Sequence, residues 1–84
     1  MKYVVYVLRS YRFARHYIGC TSDLTERLFS PNAGKTKSTN PYRPWRVIYT
    51  EDYQLKSEAY KREWFLKHPS GYLEKRRIID EFDK

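Results

Sequence analysis

The sequence contains a single cysteine, few glycines and no long apolar stretch. A lone Cys20 cannot close an intramolecular disulfide or supply a cysteine-rich zinc site. That usage fits a reducing cytosol, and a cytoplasmic location is expected. No apolar run approaches the roughly 20 residues that a membrane span needs. Met1-Lys2 leads directly into strand-like sequence without a cleavage-site pattern, so neither export nor membrane insertion is expected. Internal repeats, low-complexity tracts and interdomain linkers are absent as well. The 84 residues therefore read as one small domain spanning 1–84. A chain this short buries only about 60–65% of its unfolded surface, which argues against a large cavity and for a shallow cleft.

Acidic residues are also in deficit. Ten Asp and Glu stand against seventeen Lys and Arg, a formal charge of +7. An excess of that size on a small chain suggests a polyanionic partner. Aromatic residues, by contrast, are abundant: nine tyrosines, two tryptophans and four phenylalanines. Cations meet phosphates and exposed rings stack on bases, so the combination points to nucleic acid. The alternatives are a basic surface that serves only solubility, or one that meets an acidic protein.

The apolar run Tyr3 to Leu8 predicts a buried strand, and His16 to Cys20 a shorter one. The segment Ser10-Tyr11-Arg12-Phe13-Ala14 is polar enough for a turn but lacks the Asn-Gly type of signal. A hairpin symmetric about Tyr11-Arg12 makes Tyr6 and Tyr17 direct cross-strand partners, with Cβ atoms about 5 Å apart on one sheet face. Thr21-Ser22-Asp23 offers capping residues to a helix carrying Leu24 and Leu28, expected to stop near Ser30-Pro31. Asn32 to Arg43 reads as a long basic loop, and Trp45 to Glu51 as a third strand. Leu55 to Lys67 reads as a helix with Leu55, Ala59 and Leu66 on one face, broken by His68-Pro69. Ser70 is expected to cap a last helix reaching about Phe82. The order β-β-α-β-α-α predicts an α+β domain, a three-stranded antiparallel sheet flanked by three helices. The first strand is the most apolar and belongs in the centre.

Four residues stand out for chemistry. Tyr6 and Tyr17 place two phenols together on a rigid platform, useful for packing or for a site. Arg27 lies three residues beyond Leu24 and can bury its stem while aiming its guanidinium at the sheet. Its fork suits a phosphate, and the alternative is a surface pair with Asp23. Glu63 falls at the edge of the Leu55–Ala59–Leu66 stripe, so its carboxylate needs a cation. An i,i+4 pair with Lys67 supplies one kind, worth a few tenths of a kcal/mol. One hydrated divalent ion, completed by substrate phosphate, supplies another. Gly34-Lys35-Thr36 mimics the end of a P-loop, but Phe29 stands where the first glycine is required, so nucleotide triphosphate binding is rejected. His16 and His68 lack ligand spacing.

On these residues the chain resembles the GIY-YIG nuclease superfamily in its small single-domain form, over nearly its whole length. Tyr17-Ile18-Gly19 is the second signature triplet intact. Val4-Val5-Tyr6 is the first, with its tyrosine kept and its glycine lost. Asp23-Leu24-Thr25-Glu26-Arg27-Leu28 is similar to the family's arginine helix, Pro44-Trp45 to the small-domain subgroup, and Lys61-Arg62-Glu63 to its metal-ligand glutamate. The resemblance extends to the endonuclease domains of excision-repair and homing nucleases, and so to DNA repair. It implies metal-dependent phosphodiester hydrolysis, with DNA the expected substrate and RNA not excluded, and Mg²⁺ or Mn²⁺ held by Glu63. Tyr6 would position or deprotonate the attacking water and Tyr17 would orient the site or touch the phosphate. Arg27 would stabilise charge on the phosphoryl oxygens. A phenol titrates near 10, so a neighbouring cation or metal must lower Tyr6 for it to act as a base. The geometry requires all four residues to meet in one cleft, with Arg27 and Glu63 on the same side of the sheet. Lys35, Lys37 and Arg43 are expected to bind the nucleic-acid backbone. One departure is plain. Where many members carry a proton-relaying His or Tyr one turn after the arginine, this chain has Pro31, which has no side-chain donor or acceptor. The alternative is therefore a catalytically weak or inactive nucleic-acid-binding module on the same fold. Oligomeric state is not legible from the sequence.

Overall fold

A computed structural model describes residues 2–32 and 42–83 of the chain. The fold is α+β, a three-stranded antiparallel sheet flanked by three helices. Its elements run β1 (Tyr3–Ser10), β2 (His16–Thr21), α1 (Leu24–Asn32), β3 (Trp45–Tyr53), α2 (Lys56–Lys67) and α3 (Tyr72–Phe82). The strand order is β2-β1-β3, so the most apolar strand is central, as its composition predicts. Val5, Tyr6, Val7 and Leu8 are all buried. Four consecutive buried residues require cover on both faces of the sheet.

The helices supply that cover. On one face Val5, Val7, Ile18 and Cys20 pack against Ala59 and Leu66 of α2 and Ile78 of α3. On the other, Tyr6, Leu8 and Trp45 pack with Tyr17 and Val47 against Leu24 and Leu28 of α1. A bulge in β3, where Val7 pairs with Tyr49 but Leu8 with Val47, adds Ile48 to the first face. Among the described residues, no helix is long and apolar enough to cross a membrane.

The hairpin register differs from the symmetric one. Tyr6 pairs with Gly19, and Tyr17 with Leu8. The cause lies in Ser10. Its hydroxyl accepts hydrogen bonds from the backbone N–H groups of Arg12 and Phe13, each at 3.2 Å. Its own N–H donates to the Arg15 carbonyl at 3.0 Å. The turn thus closes one residue later than its polarity suggests. The shift changes each pairing by two residues, and side chains alternate with a period of two, so both tyrosines stay on one face. They become diagonal neighbours.

Helix boundaries follow local chemistry. The Asp23 carboxylate accepts from the Glu26 N–H at 3.1 Å and caps α1, satisfying an amide that lacks an intrahelical partner. α1 continues through Pro31 to Asn32, slightly beyond the expected stop. α2 begins after Leu55, which is exposed instead of heading the buried stripe. Ser70 does not cap α3. It sits in a 3-10 turn, Pro69–Gly71, and donates its N–H to His68 Nδ1 at 3.2 Å. Gly71 takes the capping position, packed so close to the Phe65 carbonyl that a Cβ would overlap it.

The end of α3 is pinned to the sheet. Arg9 of β1 is paired in register with His16 of β2 and Arg46 of β3. All three reach Asp83, at 3.1, 2.8 and 3.3 Å. Burial raises the Asp83 carboxyl, but His16 and Arg9 outweigh it and hold the group below its usual range.

Candidate active site

The centre of the site is the Tyr6 ring. It lies across Gly19, its cross-strand partner, and a Cβ there would overlap the phenol oxygen. The glycine therefore lets the end of a large side chain lie close against a neighbouring strand. Tyr17 stands diagonally beside it, ring centroids 6.4 Å apart and planes tilted by 31°. The Tyr6 hydroxyl shares a side-chain hydrogen bond with Arg27 of α1, the guanidinium donating and the phenol oxygen accepting. Asp23 is engaged in capping, so the surface pair between Asp23 and Arg27 is not the arrangement adopted.

Glu63 arrives from the other direction. α1 and α2 cover opposite faces of the sheet, so the requirement that their functional residues share one side is not met by the helices themselves. The side chains are instead linked around the β2 edge. Glu63 Oε2 is 3.0 Å from Lys67 Nζ, and that ammonium lies 5.4 Å from the centroid of the Tyr17 ring. Tyr6 and Cys20 both feel the Glu63 charge together with that of Arg27. The chain of contacts Glu63–Lys67–Tyr17–Tyr6–Arg27 thus joins four elements around one edge strand.

Burial is the largest influence on Tyr6, and it raises the phenol above its ordinary value. Tyr17 and Glu63 act in the same direction, and the Arg27 hydrogen bond opposes them without winning. The expectation that a neighbouring cation lowers this group is therefore not met by Arg27 alone. Arg27 is shifted upward, chiefly through its bond to Tyr6, and stays charged. Burial, and then the charge of Glu63, push the thiol of Cys20 up, on the sheet face that α2 and α3 cover.

The donor set at Glu63 suits one kind of cation. Among the described residues, no group of three or more His, Cys, Asp and Glu is placed to hold a metal ion. A preformed cage of protein ligands is excluded there. A single half-buried carboxylate fits a hard ion that keeps most of its water and takes a substrate phosphate as a further ligand. Lys67 neutralises that carboxylate in the metal-free protein.

Of the residues expected to bind the nucleic-acid backbone, Lys35 and Lys37 lie outside the described residues, and Arg43 is exposed just before β3. Reading the sequence singled out Tyr6, Tyr17, Arg27 and Glu63 and offered Lys67 as a partner of Glu63, which it is, but missed two contacts. Gly19 matters through its register with Tyr6, and Lys67 through its contact with Tyr17. The intact Tyr17-Ile18-Gly19 triplet was the signal for the first. No local pattern signals the second.

Residues 2–77 match the family model described as the GIY-YIG catalytic domain. The chain is 35% identical over 81 residues to a UPF0213 protein of Staphylococcus haemolyticus, covering 95% of this chain and 96% of that one. It is 38% identical over 71 residues to a UPF0213 protein of Bacillus pumilus, covering 77% and 72%. The solution structure of a UPF0213 protein from Bacillus halodurans superposes with a TM-score of 0.59 at 28% identity, over 98% of this chain and 87% of that one.

Proposed function

The chain belongs to the GIY-YIG catalytic domain family, and on that premise we propose that it is a nuclease that hydrolyses phosphodiester bonds in DNA with one divalent cation, Mg²⁺ or Mn²⁺, at Glu63. What supports this reading is the run of contacts from Glu63 through Lys67, Tyr17 and Tyr6 to Arg27 around the β2 edge. These residues come from four separate elements, and packing alone does not require a guanidinium, a carboxylate and two phenols to be linked there.

Arg27 presents fixed charge where negative charge grows on the phosphoryl oxygens. Tyr6, pinned between Gly19 and Arg27, holds the attacking water in line. Its buried hydroxyl is neutral in the metal-free protein, so it acts first as a hydrogen-bonding group. Tyr17 lines the phosphate's approach. A cation at Glu63 supplies Lewis-acid stabilisation of the leaving oxygen. Lys67, released from Glu63 were a cation held there, would be free to meet a phosphate. The charge of +7 supplies a salt-dependent, sequence-independent attraction to the polymer. A single domain acting in the cytoplasm, in DNA repair, is the setting proposed with it.

Cleavage of supercoiled and branched DNA with Mg²⁺ or Mn²⁺, set against EDTA, is the direct test. Glu63→Gln is expected to abolish cleavage while sparing most DNA affinity. Retention of wild-type cleavage by that variant would refute the metal site. The second reading, a binding module on the same fold, is favoured by Pro31 at the relay position. It predicts DNA binding with no cleavage in any metal.

A further inference from the structure

A groove leaves the candidate site on the side away from α1. Two open hollows of about 460 and 470 Å³ adjoin there, sharing Lys67, Tyr72 and Lys75 as walls. The inner hollow begins at Tyr17 and runs past Arg76. Tyr17 and Lys67 therefore belong both to the site and to the groove.

The walls combine cations with ring faces. Lys67 lies over the Tyr17 ring and Lys75 over the Tyr72 ring, at 5.4 and 5.5 Å from the centroids. Tyr72 is 54% exposed and lines both hollows. Lys75 makes no ion pair among the described residues. The nearby acids of α3 are committed elsewhere. Glu74 binds Arg62 and Arg77, and Glu81 binds Arg77. Lys67 is paired with Glu63 and Arg76 with Asp80, the latter in an exposed pair, so of these three groove cations Lys75 alone lacks a carboxylate partner among the described residues. The groove is thus electropositive and carries aromatic faces at intervals.

We propose that this groove binds an unpaired polynucleotide strand, placing phosphates against Lys75 and Arg76 and a base on Tyr72, so that the strand enters or leaves the site along it. The inference rests on the nuclease reading for the identity of the polymer. It goes beyond that reading in naming the strand state and the residues that hold it. Cations tracking a backbone beside stacking rings are the means by which proteins hold single strands. The bases of a duplex are already stacked on one another, and only an unpaired strand offers its faces to Tyr72.

The test is fluorescence anisotropy in EDTA, so that binding is read without cleavage. The probes are a labelled oligothymidylate, an oligouridylate and a blunt hairpin duplex of equal length. The unpaired strands should bind more tightly than the duplex. Tyr72→Ala should weaken strand binding about tenfold, Tyr72→Phe should restore it, and duplex affinity should hold. Lys75→Gln should lower the slope of log K against log salt by about 0.7. The two strands compared tell whether the groove prefers deoxyribose or ribose. Unchanged strand affinity in both Tyr72→Ala and Lys75→Gln, or equal losses for strand and duplex, would overturn the inference. Metal-dependent cleavage by the wild type is scored separately. Cleavage with unaltered binding in the groove variants sinks the groove and leaves the nuclease. Loss of strand binding in those variants, without cleavage by the wild type, keeps the groove and sinks the nuclease.

Discussion

The phenol end of Tyr6 lies against Gly19, its cross-strand partner, with no space for a Cβ between them. The hydroxyl that bonds Arg27 is the atom a methyl group would displace. Gly19→Ala should therefore move the phenol more than it harms the fold. Overpacking costs about 1–3 kcal/mol, whereas an ångström of misplacement at a reacting group can cost about a hundredfold in rate. Thermal melting and cleavage kinetics measured together check this. Full activity in a folded Gly19→Ala protein would show that the position of Tyr6 does not matter.

Lys67 and a divalent cation compete for the same carboxylate. The ammonium sits 3.0 Å from Glu63 Oε2, and it must yield before a metal ion can bind there. Lys67→Met should lower the Mn²⁺ concentration needed for half-maximal cleavage. It should also lower the maximal rate, because a cation beside Tyr17 is lost. A metal titration of the variant separates the two effects. A metal requirement that rises would mean that Lys67 helps to hold Glu63 ready for the ion.

Stability should depend on pH through Glu51. Its carboxylate accepts from the Tyr53 hydroxyl at 2.6 Å and from Arg62 at 2.9 Å, with Tyr49 as a third donor. Burial acts to raise this group, but those donors together hold it below the ordinary glutamate value. Tyr53, on the other side of the bond, is pushed up to about 12 by burial and by Glu51. A carboxylate lowered in the folded state contributes stability in full above its unfolded value, near 4.3, and loses it as the pH falls through the folded value. Glu51→Gln should cost about 1.5–3 kcal/mol at pH 7, and the gap to the wild type should close in acid. Urea melts at neutral and acid pH measure it. A gap that stays constant with pH would show that packing, not charge, sets the effect.

The parts of this fold that were legible in the sequence are those written in a local period. The run Tyr3 to Leu8 marked the central strand, and Ala59 and Leu66 marked the buried face of α2. The hairpin register was not legible, because it depends on two amides reaching back to one serine hydroxyl. Leu55 and Ser70 misled for a related reason. Each is the residue type its expected role favours, but the chain turned differently at both ends of α2. The site residues were visible as types at intervals. Their expected placement on one side of the sheet was not the arrangement adopted, because Glu63 and Arg27 stand on helices that cover opposite faces and are linked only past the β2 edge. The groove beyond Lys67 needs residues of α2 and α3 brought beside β2, and no local pattern encodes that.

Pro31 offers the sharpest test of catalysis. It follows Arg27 by one helical turn and lies within the last turn of α1. A proline there cannot donate the backbone hydrogen bond that would reach the Arg27 carbonyl, and its ring carries no group that can pass a proton. Histidine supplies both. Pro31→His should leave α1 at least as stable, since proline is the poorest helix former. General acid–base help is typically worth about 10²–10⁴-fold, so even a poorly placed imidazole should raise a slow cleavage rate by about tenfold. The gain should disappear when Glu63→Gln is added, because a relay has no step to assist at a site without its cation. Single-turnover cleavage of the two variants and their combination decides the matter. An unchanged rate in Pro31→His would mean that proton relay does not limit the reaction. A gain that survives Glu63→Gln would mean that the imidazole acts without the metal, and the one-metal scheme would fail.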